Sequence, residues 1–273
     1  MRASNVAFFG PEATFTHQAA LKFFPNSRLL PEKSIQDVFR ALEDGKAEFG
    51  VVPIENSTEG SVNITLDLLS DSKFCIFSET SLKIEHFLLS SEESLEKIKI
   101  VYSHPQALAQ CRNWLEARLP KAELSEALST SKAAEIASQS KGSAAISSIL
   151  AAKKFGLNVL AERIQDNQSN MTKFVVVSKE CHAAKAGKTF KTTLLFSVKH
   201  KPGALFDVLK ALKVYNVNMA RIESRPSKQT PWEYVFFVDI EGFSEEPDIR
   251  HALKELEGHC HVFRILGSYP VIE

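Results

Sequence analysis

The sequence predicts an α/β protein of two modules, and three observations predict it. Up to about Val177, short apolar runs alternate with amphipathic stretches, the mark of a mostly parallel sheet with helices on its faces. Several of the runs end in hydroxyl, amide or carboxylate side chains beside a helix start, where open α/β sheets place ligands. Beyond a lysine-bearing stretch the order changes to βαββαβ, the ferredoxin-like plan.

The elements follow in order. Val6-Ala7-Phe8-Phe9 reads as a strand and Gly10-Pro11 as a turn, and Thr14-Phe15-Thr16 leads a helix through Ala19, Ala20 and Phe23. The run Phe49 to Ile54 is a buried strand that stops in Glu55-Asn56-Ser57-Thr58-Glu59-Gly60-Ser61. Ser61 reads as the N-cap of a helix over 62–69. Ile98 to Tyr102 is a strand followed by Ser103-His104-Pro105-Gln106, with Pro105 suited to a first helical position and Leu108, Cys111, Trp114 and Leu115 on one stripe. Ser143 to Ser148 is a small, apolar strand ending in two hydroxyls. The polar run Asp166 to Lys173 feeds the strand Phe174 to Val177. The spacing divides this first module, residues 1–180, into two lobes, the second spanning about 81–163, with a cleft suited to a small, oxygen-rich anion.

Residues 179–191 read as a linker. In the second module, 190–273, strands are expected at 192–198, 217–224, 233–240 and 261–266, and helices behind Pro202-Gly203 and around Ile249, Leu253 and Leu256, with a loop over 227–232.

Composition narrows the function classes. A formal charge of zero and the lack of a basic patch argue against nucleic acid as a partner. No apolar stretch approaches a membrane span, and the first residues lack the apolar region of a secretory signal, so a cytoplasmic location is the expectation. Cys75, Cys111, Cys181 and Cys260 are scattered, which argues against zinc and against disulfides. His259-Cys260-His261 fits alternation on a strand better than a metal site. Glycine-rich nucleotide loops are absent, and no cofactor is expected.

Six motifs in order carry a resemblance: Gly10-Pro11-Glu12-Ala13-Thr14-Phe15-Thr16, Pro53-Ile54-Glu55-Asn56-Ser57, Ser103 to Cys111, Asn170-Met171-Thr172-Lys173-Phe174, Gly203-Ala204-Leu205 and Glu223-Ser224-Arg225-Pro226. Over nearly its whole length the chain resembles prephenate dehydratases with a C-terminal ACT regulatory domain. The resemblance implies a periplasmic-binding-protein-like catalytic fold. It also implies conversion of prephenate to phenylpyruvate for phenylalanine synthesis, control by phenylalanine, and a homodimer or homotetramer. Ala13 and Lys173 depart from the family's usual Gly and Arg; lysine keeps the charge but not the planar fork that grips a carboxylate.

By the same resemblance, Thr172 is the donor to the leaving oxygen, and Asn56, Ser103, Gln106, Gln110 and Lys173 are substrate contacts. Thr14, Thr16 and Ser57 either hold a carboxylate with helix amides or cap helices. Glu55 and His104 are secondary candidates for a proton donor. Gly203, Ala204 and Leu205 would receive phenylalanine at a helix N-terminus, with Glu223, Ser224 and Arg225 closing that site. The alternatives are an arogenate dehydratase, acting on the amino analogue, and an amino-acid sensor with impaired catalysis.

Overall fold

A computed structural model describes residues 4–181, 189–199, 201–228 and 232–272. Residues 182–188 of the expected linker and 229–231 of the expected loop lie outside the described residues.

In chain order the elements begin with β1 (Asn5–Phe9), α1 (Phe15–Phe23), β2 (Arg28–Glu32), α2 (Ile35–Glu43), β3 (Phe49–Asn56), β4 (Gly60–Ser61) and α3 (Asn63–Asp71). Next come β5 (Cys75–Lys83), β6 (Phe87–Ser90), β7 (Ile100–Ser103), α4 (Pro105–Gln110), α5 (Arg112–Arg118), β8 (Glu123–Glu126) and α6 (Thr130–Gln139). They continue with β9 (Ser143–Ser147), α7 (Ile149–Phe155), β10 (Asn158–Ala161) and β11 (Met171–Ser178). The last are β12 (Phe190–Val198), α8 (Ala204–Val214), β13 (Met219–Pro226), β14 (Tyr234–Glu241), α9 (Pro247–His259) and β15 (Cys260–Ile272). The chain divides into two compact units, one of residues 1–38, 56–59 and 82–172, the other of 39–55, 60–81 and 173–273. Residues 1–38 thus cluster with the segment read from sequence as a second lobe.

In the first unit, a five-stranded sheet runs β10-β6-β9-β7-β8. Strands β8, β7 and β9 are parallel, while β6 and β10 pair antiparallel. Side chains alternate across a strand, so β6 feeds two cores. Phe87 and Leu89 join Ala133, Ala134, Ala137 and Ala151 on one face; Leu88 joins Val101, Ala107, Cys111 and Leu115 on the other. The small residues of β9 and α6 let helix and sheet approach closely. Thr14 caps α1, its Oγ1 accepting the His17 N–H. The expected helix behind Pro105 breaks at Cys111 into α4 and α5. That break frees the Gln110 carbonyl to accept the Asp166 N–H at 2.7 Å.

In the second unit one sheet runs β13-β14-β12-β15-β5-β11-β3, with β4 beside β3. Its first four strands, with α8 and α9, are the βαββαβ module; Leu194, Phe196, Val238 and Ile240 meet Val208, Leu212, Leu253 and Leu256 in its core. The last strand outruns its expected end because Val271 and Ile272 pair in parallel with Glu79 and Thr80 of β5.

Two expectations are corrected here. Ser61 does not cap α3: Val62 holds that position without a side-chain bond, and Ser61 Oγ donates to Glu223. Cys75 and Cys181 form a disulfide, their Cα atoms 5.2 Å apart. A separation of 106 residues hides this pair in the sequence, because only the pairing of β5 with β11 brings the two together.

Candidate active site

Thr172 stands near the start of β11 and is buried, at 8 % exposure. Its Oγ1 accepts a hydrogen bond from Asn56 Nδ2 at 2.8 Å. The orientation of that amide is fixed by the turn after β3: Asn56 Oδ1 accepts the backbone N–H groups of Thr58, at 2.9 Å, and Glu59, at 3.0 Å. Asn56 therefore presents only donors to Thr172, and the hydroxyl, already accepting, keeps its own proton to give away. An amide that donates to a hydroxyl also polarises its O–H bond.

The same polarity runs on through neutral groups. Asn56 Nδ2 also donates to Asn170 Oδ1 at 2.9 Å, and Asn170 Nδ2 donates to Gln110 Oε1 at 3.2 Å. His86 Nε2 reaches the same Gln110 oxygen at 3.0 Å and must carry its proton there. Burial holds the His86 pKa below the ordinary imidazole value, opposed by the bond to Gln110, so the ring is neutral near pH 7. His86 is fixed by its backbone as well: its N–H donates to Gln165 Oε1 and its carbonyl accepts from Ile164. The Asn170 carbonyl accepts the Ile84 N–H. Sequence reasoning passed over His86 and Asn170 as individual contributors. The only available signal for His86 was its place, with Glu85, between Ile84 and the apolar run of β6.

Lys173 is the next residue of β11 and points the other way, as strand alternation requires. Its Nζ pairs with Glu55 at 2.6 Å. Burial alone would raise the Glu55 pKa; the Lys173 bond, with the fields of Arg221 and Lys191, brings it below the ordinary carboxylate value. Lys191 in turn pairs with buried Glu79, and Arg221 lies 3.5 Å from Asp239. Asp239 accepts from Thr193, whose hydroxyl also meets the Tyr269 hydroxyl. Charges thus cluster where the first module's strands meet the βαββαβ sheet.

The remaining candidates divide. Ser57 Oγ accepts the Met171 N–H, and its own N–H donates to the Met171 carbonyl, which places it beside Thr172. Ser103 is fully buried and donates to the Ile146 carbonyl at 2.7 Å. Thr14 donates to the Pro11 carbonyl besides capping α1, and Thr16 is buried within that helix. Gln106 is exposed on the first turn of α4, where His104 Nδ1 caps its N–H. Ala13 sits in the left-handed region at φ 63°, donates its N–H to His17 Nδ1 and accepts from Ser148. Among the described residues no cluster of three or more His, Cys, Asp or Glu could hold a metal ion.

In the second module, Gly203 takes φ 79° ahead of α8 and, with Ala204 and Leu205, lines a cavity of about 380 Å³. Val198, Lys201, Tyr234 and Phe236 complete much of its wall. Glu223, Ser224 and Arg225 do not line it. Glu223 accepts from Ser61, and Arg225 makes a bidentate pair with Asp67, which Lys228 also joins at 2.7 Å. Arg264 donates to the carbonyls of Ser70 and Ser72 at the end of α3.

The site is thus a buried hydroxyl held by amide side chains, and the βαββαβ module carries a cavity of its own. The comparisons with known proteins define the family. The prephenate dehydratase model matches residues 6–182 and the ACT domain model residues 192–258. A bifunctional chorismate mutase/prephenate dehydratase of Aquifex aeolicus is 47 % identical over 97 % of this chain and 73 % of its own length. Among solved structures, a prephenate dehydratase of Arthrobacter aurescens in complex with L-Phe is 33 % identical, with a TM-score of 0.89 over 97 % of this chain and 89 % of that one. A protein described as GqqA, a novel type of quorum-quenching acylase, is 31 % identical at the same TM-score, over 98 % of both chains. The chain belongs to the prephenate dehydratase family, hydro-lyases of phenylalanine synthesis, and carries a C-terminal ACT domain. No described helix is long and apolar enough to cross a membrane.

Proposed function

We propose that Thr172, held by Asn56, is the group that drives the loss of water and CO2 from prephenate in this chain. The observation that carries the reading is the polarity of one bond: Asn56 donates to Thr172 Oγ1, leaving the hydroxyl proton for the substrate. In the reaction the ring's C–O bond breaks as the bond to the ring carboxylate breaks. The electron pair released with CO2 completes the aromatic ring, and the departing hydroxide needs a proton to become water. Thr172 hydrogen-bonds the oxygen as charge develops on it. A proton passed from Oγ1 leaves an alkoxide that Asn56 continues to stabilise until water returns the proton. General-acid help of this kind is worth roughly 10²–10⁴ in rate.

Gln110 offers its amide N–H pair to a substrate carboxylate, with Ser57 nearby as a further polar group. Lys173, engaged by Glu55, acts on the charge balance of β3 and β11 and not as a direct clamp. Phenylalanine binds the cavity at Gly203, Ala204 and Leu205, and the Glu223 and Arg225 contacts with Ser61 and Asp67 couple that module to β4 and α3. Pairing of ACT modules gives a dimer at least, in the cytoplasm.

The test is product formation from the two substrates separately: phenylpyruvate from prephenate, followed by absorbance, and phenylalanine from arogenate, followed by chromatography. The purified chain is expected to turn over prephenate faster, with phenylalanine lowering the rate. Thr172→Val is expected to lose about 10²-fold or more in kcat with an unchanged melting temperature. An unchanged kcat overturns the reading, faster turnover of arogenate selects the amino analogue, and no turnover of either selects the sensor. An acylase activity is a second reading, supported by the likeness to GqqA. A hydrolytic hydroxyl needs an adjacent base, and three amide side chains separate His86 from Thr172 in this network, which favours the dehydratase.

A further inference from the structure

We propose that His86 is a positioning residue that sets Gln110 for the substrate. Its Nε2–H and the Asn170 amide together occupy Gln110 Oε1, so that Gln110 turns its own N–H pair toward a substrate carboxylate. The inference rests on the prephenate dehydratase reading of the site and adds to it the residue that fixes the orientation of one substrate contact.

Three observations carry it. A primary amide can sit in two orientations that differ in which end is the acceptor. Gln110 Oε1 receives two donors at once, at 3.0 and 3.2 Å, which selects one orientation; its Nε2 has no partner among the described residues. The orientation is inherited from the backbone, because the Thr58 and Glu59 N–H groups fix Asn56, Asn56 fixes Asn170, and Asn170 fixes Gln110 from one side. His86 closes the far end of that series. Finally, the ring's other nitrogen, Nδ1, is buried with no partner among the described residues. An unsatisfied buried nitrogen is a cost that an apolar residue beside the Phe15 ring would avoid. The fold keeps the imidazole there for the sake of its Nε2–H.

A carboxylate that stays on the molecule is bound alike in the ground state and the transition state, so misplacing Gln110 raises KM more than it lowers kcat. Kinetics of the full chain with prephenate test this. His86→Leu is expected to raise KM about tenfold, the scale of a hydrogen bond to a charged group, with kcat within about threefold. His86→Gln, whose Nε2 reaches the same point, is expected to restore KM to within about threefold of the parent, whereas the shorter His86→Asn is not. Gln110→Met is expected to raise KM as His86→Leu does, and the pair together no further. An unchanged KM in folded His86→Leu overturns the proposal, and so does full additivity with Gln110→Met. If His86→Leu does not fold, the contrast between His86→Gln and His86→Asn decides: equal KM values overturn it. Thr172→Val reads kcat, so its failure sinks the assigned chemistry whatever His86 does, and failure at His86 alone leaves the Thr172 assignment standing.

Discussion

Thr172 and Lys173 are consecutive residues of β11, yet they belong to networks built on opposite principles. Thr172 ends a series of neutral amides whose polarity is fixed by two backbone N–H groups. Lys173 belongs to a cluster of ions: Glu55, Glu79 and Asp239 against Lys173, Lys191 and Arg221. Neutral amides keep their direction when salt changes and need no titration to work. They suit a site that must hold one proton ready beside an anionic substrate. Ions act over longer distances and respond to charge displacement, which suits the seam between the first module's strands and a regulatory module. Alternation along the strand is what lets one segment serve both.

The contrast can be broken from the ionic side first. Lys191→Met strands Glu79, whose side chain is only 4 % exposed. Removing one partner of a buried pair costs about 3–5 kcal/mol, so chemical denaturation should show a loss of that order. Any kcat measured while the protein remains folded should stay near the parent's. A collapse of kcat with little loss of stability would mean that the two networks are not separable.

Acid sharpens the contrast from the neutral side. Burial lowers the pKa of both His17 and His86 in the folded chain. The unfolded chain therefore takes up protons near pH 6.5 that the folded chain refuses, and stability falls as pH drops below that point. Glu55, also lowered, withdraws its contribution only in more acid solution, below the ordinary carboxylate pKa. Melting temperature is expected to hold between pH 7 and 8 and to decline below about 6.5, with a shallower decline in His86→Gln. A melting temperature that rises on acidification contradicts both histidine assignments.

The smallest effect concerns the turn before α1. Ala13 occupies the left-handed region, which costs an alanine roughly 1 kcal/mol. Its methyl is buried among Phe87, Ala133 and Ala151, a gain of about 0.8 kcal/mol. Ala13→Gly exchanges one for the other and should leave stability within about 1 kcal/mol, read by denaturant titration. The near balance explains how the chain tolerates a residue other than the family's glycine.

Much of this was legible in sequence because it is local or carried by motifs. Strand ends, the Pro105 helix start and the βαββαβ order come from periodicity and breakers within a few residues. Thr172, Asn56, Ser57 and Gln110, proposed from motif resemblance, gather around β11 with Asn170 between them. What stayed hidden depends on distant pairing. The Ser61–Glu223 and Asp67–Arg225 contacts join residues about 160 positions apart, and a polar residue near a helix start reads as a cap until its partner is known. The break at Cys111 was invisible because the apolar stripe runs through it; the Asp166 N–H that uses the freed carbonyl lies more than 50 residues on. His86 carried no spacing signal, since its role lies in the orientation of another side chain.

The central claim is the direction of the Asn56–Thr172 hydrogen bond, and Asn56→Asp reverses it with almost no change of side-chain volume, removing the bond to Asn170 at the same time. The carboxylate still accepts the Thr58 and Glu59 N–H groups, so the turn is kept, but toward Thr172 it can only accept, and it takes the hydroxyl proton for itself. Measured at saturating prephenate on folded protein, kcat of Asn56→Asp should fall about 10²-fold or more, with some loss of melting temperature because the bond to Asn170 is lost as well. A kcat within about threefold of the parent's would contradict the account.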